Sequence, residues 1–434
     1  MTVLDSRPDL PFDSGRGSRA AAPAADSAVL ITPGGVTMPT VEDLGAGRGP
    51  EWLDQWLAAN AADVVAWFRH IHAHPELSRQ EFATTELVAG LLKSFGLQPQ
   101  LLPNGNGLIC DVGEGERCIA LRADIDALPM TEATGLPYAA TTPGAAHACG
   151  HDAHTTILLA TGIILASAPA LPGRVRLIFQ PAEEVMPGGS LDVIAAGGLA
   201  GVERIFGLHC DPRLEVGRVG TRVGAITSAT DLLELRLTSP GGHTSRPHLT
   251  ADLVHALGTV ITGLPALLSR RIDPRSGTVL VWGAVHAGEA PNAVPQDGLL
   301  RGTLRTGDHD VWADLEPLVA GLVQSLLAPT GVGFELQHRR GVPPVINERE
   351  STQVLRTAIE AALGEDALAG TKQSSGGEDF GWYLEHIPGS FMRLGVWSGD
   401  GPMHDIHQPT FQLDERALFT GIRVMTHTAL AALA

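Results

Sequence analysis

His147-Ala-Cys149-Gly-His151-Asp152-Ala-His154 sets three imidazoles, a thiol and a carboxylate within eight residues, directly ahead of an apolar helix-like run from Thr155 to Ala168. Such a density of nitrogen, sulfur and oxygen donors marks a metal site. Cys149 and His151, two residues apart, suit a loop that folds around an ion. The helix expected to begin near Asp152 or His154 would present its positive end and lower the Cys149 thiol pKa. A competing reading makes Cys149 a nucleophile paired with a histidine, but it leaves the carboxylates on either side of the stretch unexplained.

Upstream, Trp52, Trp56, Val64, Trp67 and Phe68 recur at helical spacing from Glu51 to Phe68. His70, His72 and His74 follow two apart. They read as helix-end residues, since His74-Pro75 stops the helix and Ser78 is placed to cap the next, which runs to Ser94 or Phe95. Leu108 to Val112 and Arg117 to Arg122 alternate as a hairpin about Gly113-Glu-Gly115, with Cys110 and Cys118 as buried strand residues. The second strand ends in Asp124 and Asp126, two carboxylates on one side of a sheet edge, where ligands of open α/β sheets gather.

Downstream, Arg174 to Gln180 is a strand that ends in Pro181-Ala-Glu183-Glu184. Adjacent carboxylates in a loop point different ways, so one can hold a metal while the other faces substrate and water as a general base. A helix near Leu191 to Ala196 precedes the strand Arg204 to Asp211, which ends in His209. Three strand ends in succession therefore carry ligand-type residues.

From about residue 222 the pattern changes. Strands at Asp231 to Thr238, Thr278 to His286, Leu299 to Thr306 and Gly333 to His338 interleave with helices at Leu249 to Ile272 and Asp310 to Leu327. The order β-α-β-β-α-β predicts a ferredoxin-like unit inserted into the first domain. Within it, Gly241-Gly242-His243 to His248, Pro291-Asn292 and Arg305 stand out as loop and strand residues with functional chemistry. The chain then returns with a helix over Ser351 to Leu363. The glycine-rich loop Ser374 to Phe380, containing Gly377, precedes a short helix to Glu385 and is expected to cup an anion with its amides. His404 and His407 precede a final helix from Phe419 to Leu433.

These elements predict an α/β protein with a mixed sheet, interrupted by the ferredoxin-like insert. The expected divisions are a flexible leader over 1–48, a catalytic domain in two parts (49–221 and 340–434) and the insert over 222–339. A chain of 434 residues with 44% hydrophobic and 18% charged residues has enough apolar material for two cores. A net charge of -18 argues against a nucleic-acid partner. No apolar run reaches the roughly 18 residues that a membrane span requires, and residues 1–48 lack the charged start and apolar core of a secretory signal, so a cytoplasmic location is expected. Four cysteines do not make a disulfide scaffold.

Cys149, His151, Glu184, His209 and His407 are five candidate ligands, one more than a closed structural zinc takes. Shared between two ions with open positions for water, they fit a binuclear hydrolytic site in which Glu183 is the unspent base.

Together, Arg122-Ala-Asp-Ile-Asp-Ala-Leu-Pro129, His147 to His154, Gln180-Pro-Ala-Glu-Glu184, Gly207-Leu-His209, Gly241-Gly-His243 and Gly377-Glu-Asp-Phe380 resemble the M20 family of metallopeptidases. The likeness is to the branch of amidohydrolases acting on N-acyl amino acids, which includes hippurate and auxin-conjugate hydrolases, and it runs from about Trp52 to the C-terminus. It implies two divalent metal ions (zinc, manganese or cobalt), a small-molecule amide substrate, and a homodimer formed through the insert, which also acts as a lid. The five residues above would be metal ligands and Glu183 the base. Asp126 would orient a ligand from behind, and His243 would reach the neighbouring subunit's site to polarise the scissile carbonyl. Asn292, Arg305 and Gly377 would meet the substrate, Arg305 by a bidentate grip. The chain departs from the family's usual pattern at Gly377, where serine is common, at Pro291 before Asn292, and at Asp405. Alternatives are a dipeptidase or aminoacylase acting on short peptides, a cysteine hydrolase, and a silent binding protein on the same scaffold.

Overall fold

The structure, a computed structural model, describes residues 48–434, so the expected leader falls, except for Arg48, outside the described residues. α1 (Glu51–Ala73) buries Leu53, Leu57, Val64 and Phe68 along one stripe and stops before Pro75. Next come α2 (Phe82–Ser94), β1 (Gln100–Leu101), β2 (Leu108–Val112) and β3 (Cys118–Asp124), every residue of which is buried. α3 (His151–Ala166), β4 (Arg174–Gln180), α4 (Ser190–Ala195) and β5 (Arg204–Glu215) complete the first part.

Short strands β6 (Val219–Gly220) and β7 (Gly224–Ala225) lead into the inserted unit: β8 (Ala229–Thr238), β9 (Gly242–His243), α5 (Leu253–Arg271), β10 (Val279–Ala287), β11 (Ala293–Val294), β12 (Asp297–Thr306), α6 (His309–Leu327) and β13 (Gly333–Val342). The chain returns through β14 (Ile346–Asn347), α7 (Arg349–Leu363), β15 (Leu368–Ala369), α8 (Gly381–Leu384), β16 (Gly389–Trp397) and α9 (Arg416–Leu433).

The large sheet is mixed, in the order β1-β2-β4-β3-β5-β16-β6-β15. One face packs under α1, α3, α7 and α9 through Leu57, Phe68, Leu121, Ile157, Ile164 and Phe419. The other is covered near α4 and α8 by Ile178, Ile205, Phe380, Tyr383 and Phe391. Enclosed between helices and sheet, α3 is buried almost all round, which its apolar sequence permits. The hairpin expected at 108–122 does not form. β4 lies between the two strands, antiparallel to β2 and parallel to β3. Alternation within each strand is the same whether the two pair directly or flank a third. β3, buried on both faces, takes parallel neighbours on both edges.

The second sheet has the order β10-β12-β8-β13, entirely antiparallel, with α5 and α6 on one face. That is the ferredoxin-like order. Asp252 and Asp308 cap the two helices by accepting from His255 N–H and Val311 N–H. The expectation that no segment matches a membrane span needs correcting, because Leu253–Arg271 and His309–Thr330 have the necessary length and apolar composition. Each lays its buried stripe, Leu257 and Leu264 or Leu315 and Val323, against this sheet.

Two buried charge clusters tie the large sheet to its connections. Arg122, 1% exposed, donates from Nη1 to Asp124 Oδ2 at 2.7 Å, from Nη2 to Asp379 Oδ1 at 2.7 Å and from Nε to Gln180 Oε1 at 2.8 Å. Gln180 returns its amide to Asp379 at 2.7 Å, and the Tyr383 hydroxyl donates to Gln180 at 2.9 Å. The ends of β3 and β4 and the loop before α8 are thus one unit. Elsewhere, His72 Nδ1 lies 2.6 Å from Asp152 Oδ2 and its Nε2 3.3 Å from Glu132, which docks α1 on the first turn of α3. His74 is the C-cap of α1, where the sequence places the helix end.

Replacing Arg122 by Leu leaves three buried carboxylates, Asp124, Glu378 and Asp379, without their cation and should cost about 3–5 kcal/mol in unfolding free energy, measured by denaturant titration. For His72, burial opposes the charged form, but Asp152 and Glu132 outweigh it and raise the pKa to about 10. The stabilisation from charging it is therefore complete below the unfolded value of about 6.5 and is lost as pH rises through about 10. The stability gap between wild type and His72→Gln should be widest at about pH 6 and narrow by about pH 11.

Candidate metal centre

The cluster forms where β3 and β4 end and the chain turns into α3; His209 is not at a strand end as expected but midway along β5, which runs on to Glu215. Gly150 precedes α3 with φ +89°, and a Cβ there would stand 2.8 Å from Cys210 Sγ, so only glycine fits this turn. It sets Cys149 just outside the helix and His151 at its first position. Two further residues hold backbone conformations unusual for side-chain-bearing residues, Ala182 at φ 57° and His407 at φ 61°. Strain of this kind concentrates at functional sites. The Ala182 amide is held by the buried Glu81 carboxylate at 2.7 Å, whose other oxygen accepts from Asn106 at 2.6 Å.

Hydrogen bonds fix the tautomers. His209 Nδ1 faces the Cys210 carbonyl at 2.7 Å and must carry the proton, which leaves a lone pair on Nε2, 3.3 Å from Cys149 Sγ. His151 turns Nδ1 to Asp126 at 3.1 Å, and its buried Nε2 has no hydrogen-bond partner. That nitrogen points among Glu184 Oε1 at 3.9 Å and Glu183 Oε2 at 4.0 Å, and Glu184 Oε1 is likewise buried without a hydrogen bond. His407 Nε2 lies 3.4 Å from that oxygen. Asp126 also accepts from the Ser78 hydroxyl at 2.6 Å and the Glu184 amide at 2.9 Å, so one carboxylate orients three groups. Ser78 is therefore not the cap of α2, a position taken by Glu81.

Ligand atoms of Cys149, His151 and His209 lie within 4.8 Å of one another, as do those of Cys149, Glu184 and His407. Cys149 belongs to both trios. His154 stands apart: its Nε2 accepts from the Cys210 amide at 2.9 Å and its Nδ1 meets Asp124 at 2.5 Å, so both nitrogens are committed.

The electrostatics ask for a cation. Burial, reinforced by Glu378 and Glu184, pushes Glu183 well above the usual carboxylate range. Burial, Asp124 and Asp379 raise Glu378 to about 7, against the pull of Arg122. Burial disfavours charge on His151, yet Asp124, Cys149 and Asp126 hold its pKa well above the ordinary value. Burial and the nearby Glu184 push the Cys149 thiol well up, contrary to the expected lowering by the helix end. Cys149 is 4% exposed, and the desolvation of its thiolate outweighs the helix field. Unpartnered buried donors among mutually repelling acids fit divalent ions.

The cluster opens into a cavity of about 360 Å³. Cys149, Glu183, Glu184, His209, His407, Arg305 and Gly377 all line it, while His151 and Asp126 lie behind. The structure does not bring His243 and Asn292 there. His243 is exposed on β9, which pairs with β11, and Asn292 is exposed just before β11. The loop at 374–380 differs from the expected anion cup. The Gly376 amide is taken by Ser374 Oγ at 3.0 Å, and Glu378 and Asp379 turn inward toward Arg122. The sequence did not single out Arg122, Gln180, Glu81, Glu378 and Asp379, which hold the cluster's surroundings, nor Arg393, which lines the cavity. The available signal was a charged residue within an otherwise apolar strand, as at Arg122 and Arg393.

The sequence profile of Peptidase family M20/M25/M40 matches residues 120–431. A Rhodococcus jostii (strain RHA1) protein carrying the name glutamate–cysteine ligase 2-3 is 56% identical over 403 residues, 89% of this chain, but the chain spans only about half of that protein's length, 51%. The N-acetyl-L-cysteine deacetylase of Bacillus subtilis (strain 168) is 37% identical over 81% of this chain and 83% of its own. The Bacillus subtilis YXEP protein, a dinuclear metal binding peptidase from the M20 family, superposes with a TM-score of 0.76 at 33% identity, covering 87% of this chain and 99% of that one. The chain belongs to peptidase family M20/M25/M40 and is a metal-binding hydrolase of amide bonds.

Proposed function

We propose that the chain is a binuclear amidohydrolase that releases amino acids from their N-acyl derivatives. The observation that carries this reading is the pair of ligand trios joined at Cys149; Glu183 belongs to neither, although it groups with His151 and Glu184 beside them. One ion would be held by Cys149, His151 and His209, the other by Cys149, Glu184 and His407. Zinc, manganese or cobalt suits this mixture of thiolate, imidazole and carboxylate. When bound, such ions supply Lewis acidity and lower the pKa of water.

The remaining work falls to the chain. Glu183 takes the proton from the attacking water and returns it to the departing amine nitrogen. Asp126 fixes His151 and the Glu184 backbone, so the ligand atoms keep their geometry through the reaction. Arg305, whose Nη1 donates to Thr230 Oγ1 at 3.0 Å and the Ser375 carbonyl at 2.7 Å, grips the amino-acid carboxylate. Gly377 leaves room for substrate beside it. The insert, residues 222–339, serves as the lid and as the surface through which two copies pair. His243 and Asn292, exposed in their own chain, then act in the partner's site, His243 on the developing oxyanion. An acylated amino acid as substrate is supported by the B. subtilis deacetylase, whose name denotes removal of such a group. Cys149 as nucleophile is disfavoured by its raised thiol pKa and by its place in both trios.

Chelator-stripped protein should release no free amine from a panel of N-acyl amino acids and should regain activity with Zn²⁺, Mn²⁺ or Co²⁺; full activity without metal would remove the proposal. Glu183→Gln should lower kcat by about 10²–10⁴ with metal content unchanged, read by elemental analysis. An equal loss of metal would make Glu183 a ligand.

A further inference from the structure

One guanidinium on the cavity wall has no assigned role. Arg393 lies on β16 level with His209 on β5, is 8% exposed, and lines the cavity beside Cys149 and His209. Among the described residues it makes no ion pair and donates no side-chain hydrogen bond; its sole ring contact is the Phe391 ring, 5.8 Å from Cζ to centroid. The nearest carboxylates are engaged elsewhere. Glu378 Oε1 accepts from the Phe380 amide at 3.0 Å and lies 3.2 Å from Arg122. Asp211 is forked by Arg213 at 2.9 and 3.0 Å. Glu378 and Asp211 attract Arg393 only from beyond ion-pair distance, and a buried guanidinium with no directly paired carboxylate is an unfavourable arrangement that divalent ions next to it would make worse. Amide hydrolysis itself calls for no further cation at that place. Arg305, which also lines the cavity, likewise has no directly paired carboxylate among the described residues. One cavity therefore offers two guanidinium groups that no carboxylate pairs directly among the described residues.

We propose that Arg393 receives a second anionic group of the substrate, so that the site takes dianionic amides: the N-acyl derivative of an acidic amino acid, or an amino acid capped by a dicarboxylic acyl group. The inference rests on the amidohydrolase reading and adds a specificity-determining residue to it. In both substrate types the shared chemistry is a second carboxylate, held by a planar donor pair that lysine would reproduce only in charge.

Near-isosteric pairs test it. With metal-loaded enzyme, kcat/KM is compared for N-acetylglutamate against N-acetylglutamine, and for N-succinylalanine against its succinamoyl counterpart. Wild type should favour the charged member of one pair by about tenfold or more, and that pair tells on which side of the amide the charge sits. The ratio should fall toward one in Arg393→Met and be partly kept in Arg393→Lys. Calorimetric binding of the same pairs to metal-loaded Glu183→Gln, with and without Arg393→Met, should show the same discrimination without turnover. A ratio near one for both pairs in an enzyme that does hydrolyse them overturns the role of Arg393 and leaves the amidohydrolase reading standing. Hydrolysis of none of the four removes that reading, and the inference with it.

Discussion

Compensation of buried charge is the constraint on which the large sheet and its site depend. Arg122, enclosed at the end of β3, binds Asp124 on its own strand, Gln180 at the end of β4 and Asp379 in the loop before α8. Those three segments, more than fifty residues apart in sequence, all border the metal cluster. A buried guanidinium with three satisfied partners is stable, and it holds each partner in one geometry. Asp124 passes the constraint on to His154, and His154 to the Cys210 amide on β5. Asp126, two residues further, orients His151 and Glu184. The site is consequently rigid on the side of the sheet.

Beyond that network the balance reverses. Around Cys149 and His151 the acids Glu183, Glu184, Asp126 and Glu378 exceed the fixed cations, and buried polar atoms on His151 and Glu184 lack partners. Burial and neighbouring carboxylates raise Glu183 and Glu378, so the arrangement is costly until a cation enters. The two sides divide the labour: Arg122 is a permanent counter-charge within the fold, and the metal centre is an acquired one. Arg305 and Arg393, which line the same cavity, reverse the sign again, as the proposed grip on an anionic substrate requires.

Much of this was legible in sequence because strand-end chemistry is local. Asp124 and Asp126, and Glu183 and Glu184, follow short apolar strands whose parallel ends come together, while His209 was legible as a ligand type but sits midway along β5, not at its end. The insert was legible from alternating helical and strand periods, and its order emerged without the small strands β9 and β11. Strand neighbours were not legible. The pattern of residues 108–122 is the same with or without β4 between the two strands. Net charge effects were hidden as well: the helix end near Cys149 is visible in sequence, but the burial that overrides it is not. Arg122 and Arg393 look alike in sequence, each a lone cation in an apolar strand, and only the structure separates the one with carboxylate partners from the one without.

The central claim is that one thiolate serves two metal ions. Metal content and affinity of the wild-type chain and of Cys149→Ala, measured by elemental analysis after equilibration with limiting Mn²⁺ or Zn²⁺, test it most directly. Two equivalents in wild type and weakened binding of both in the variant are predicted. A single equivalent in wild type, or a variant that loses one ion while holding the other at full affinity, would contradict the account.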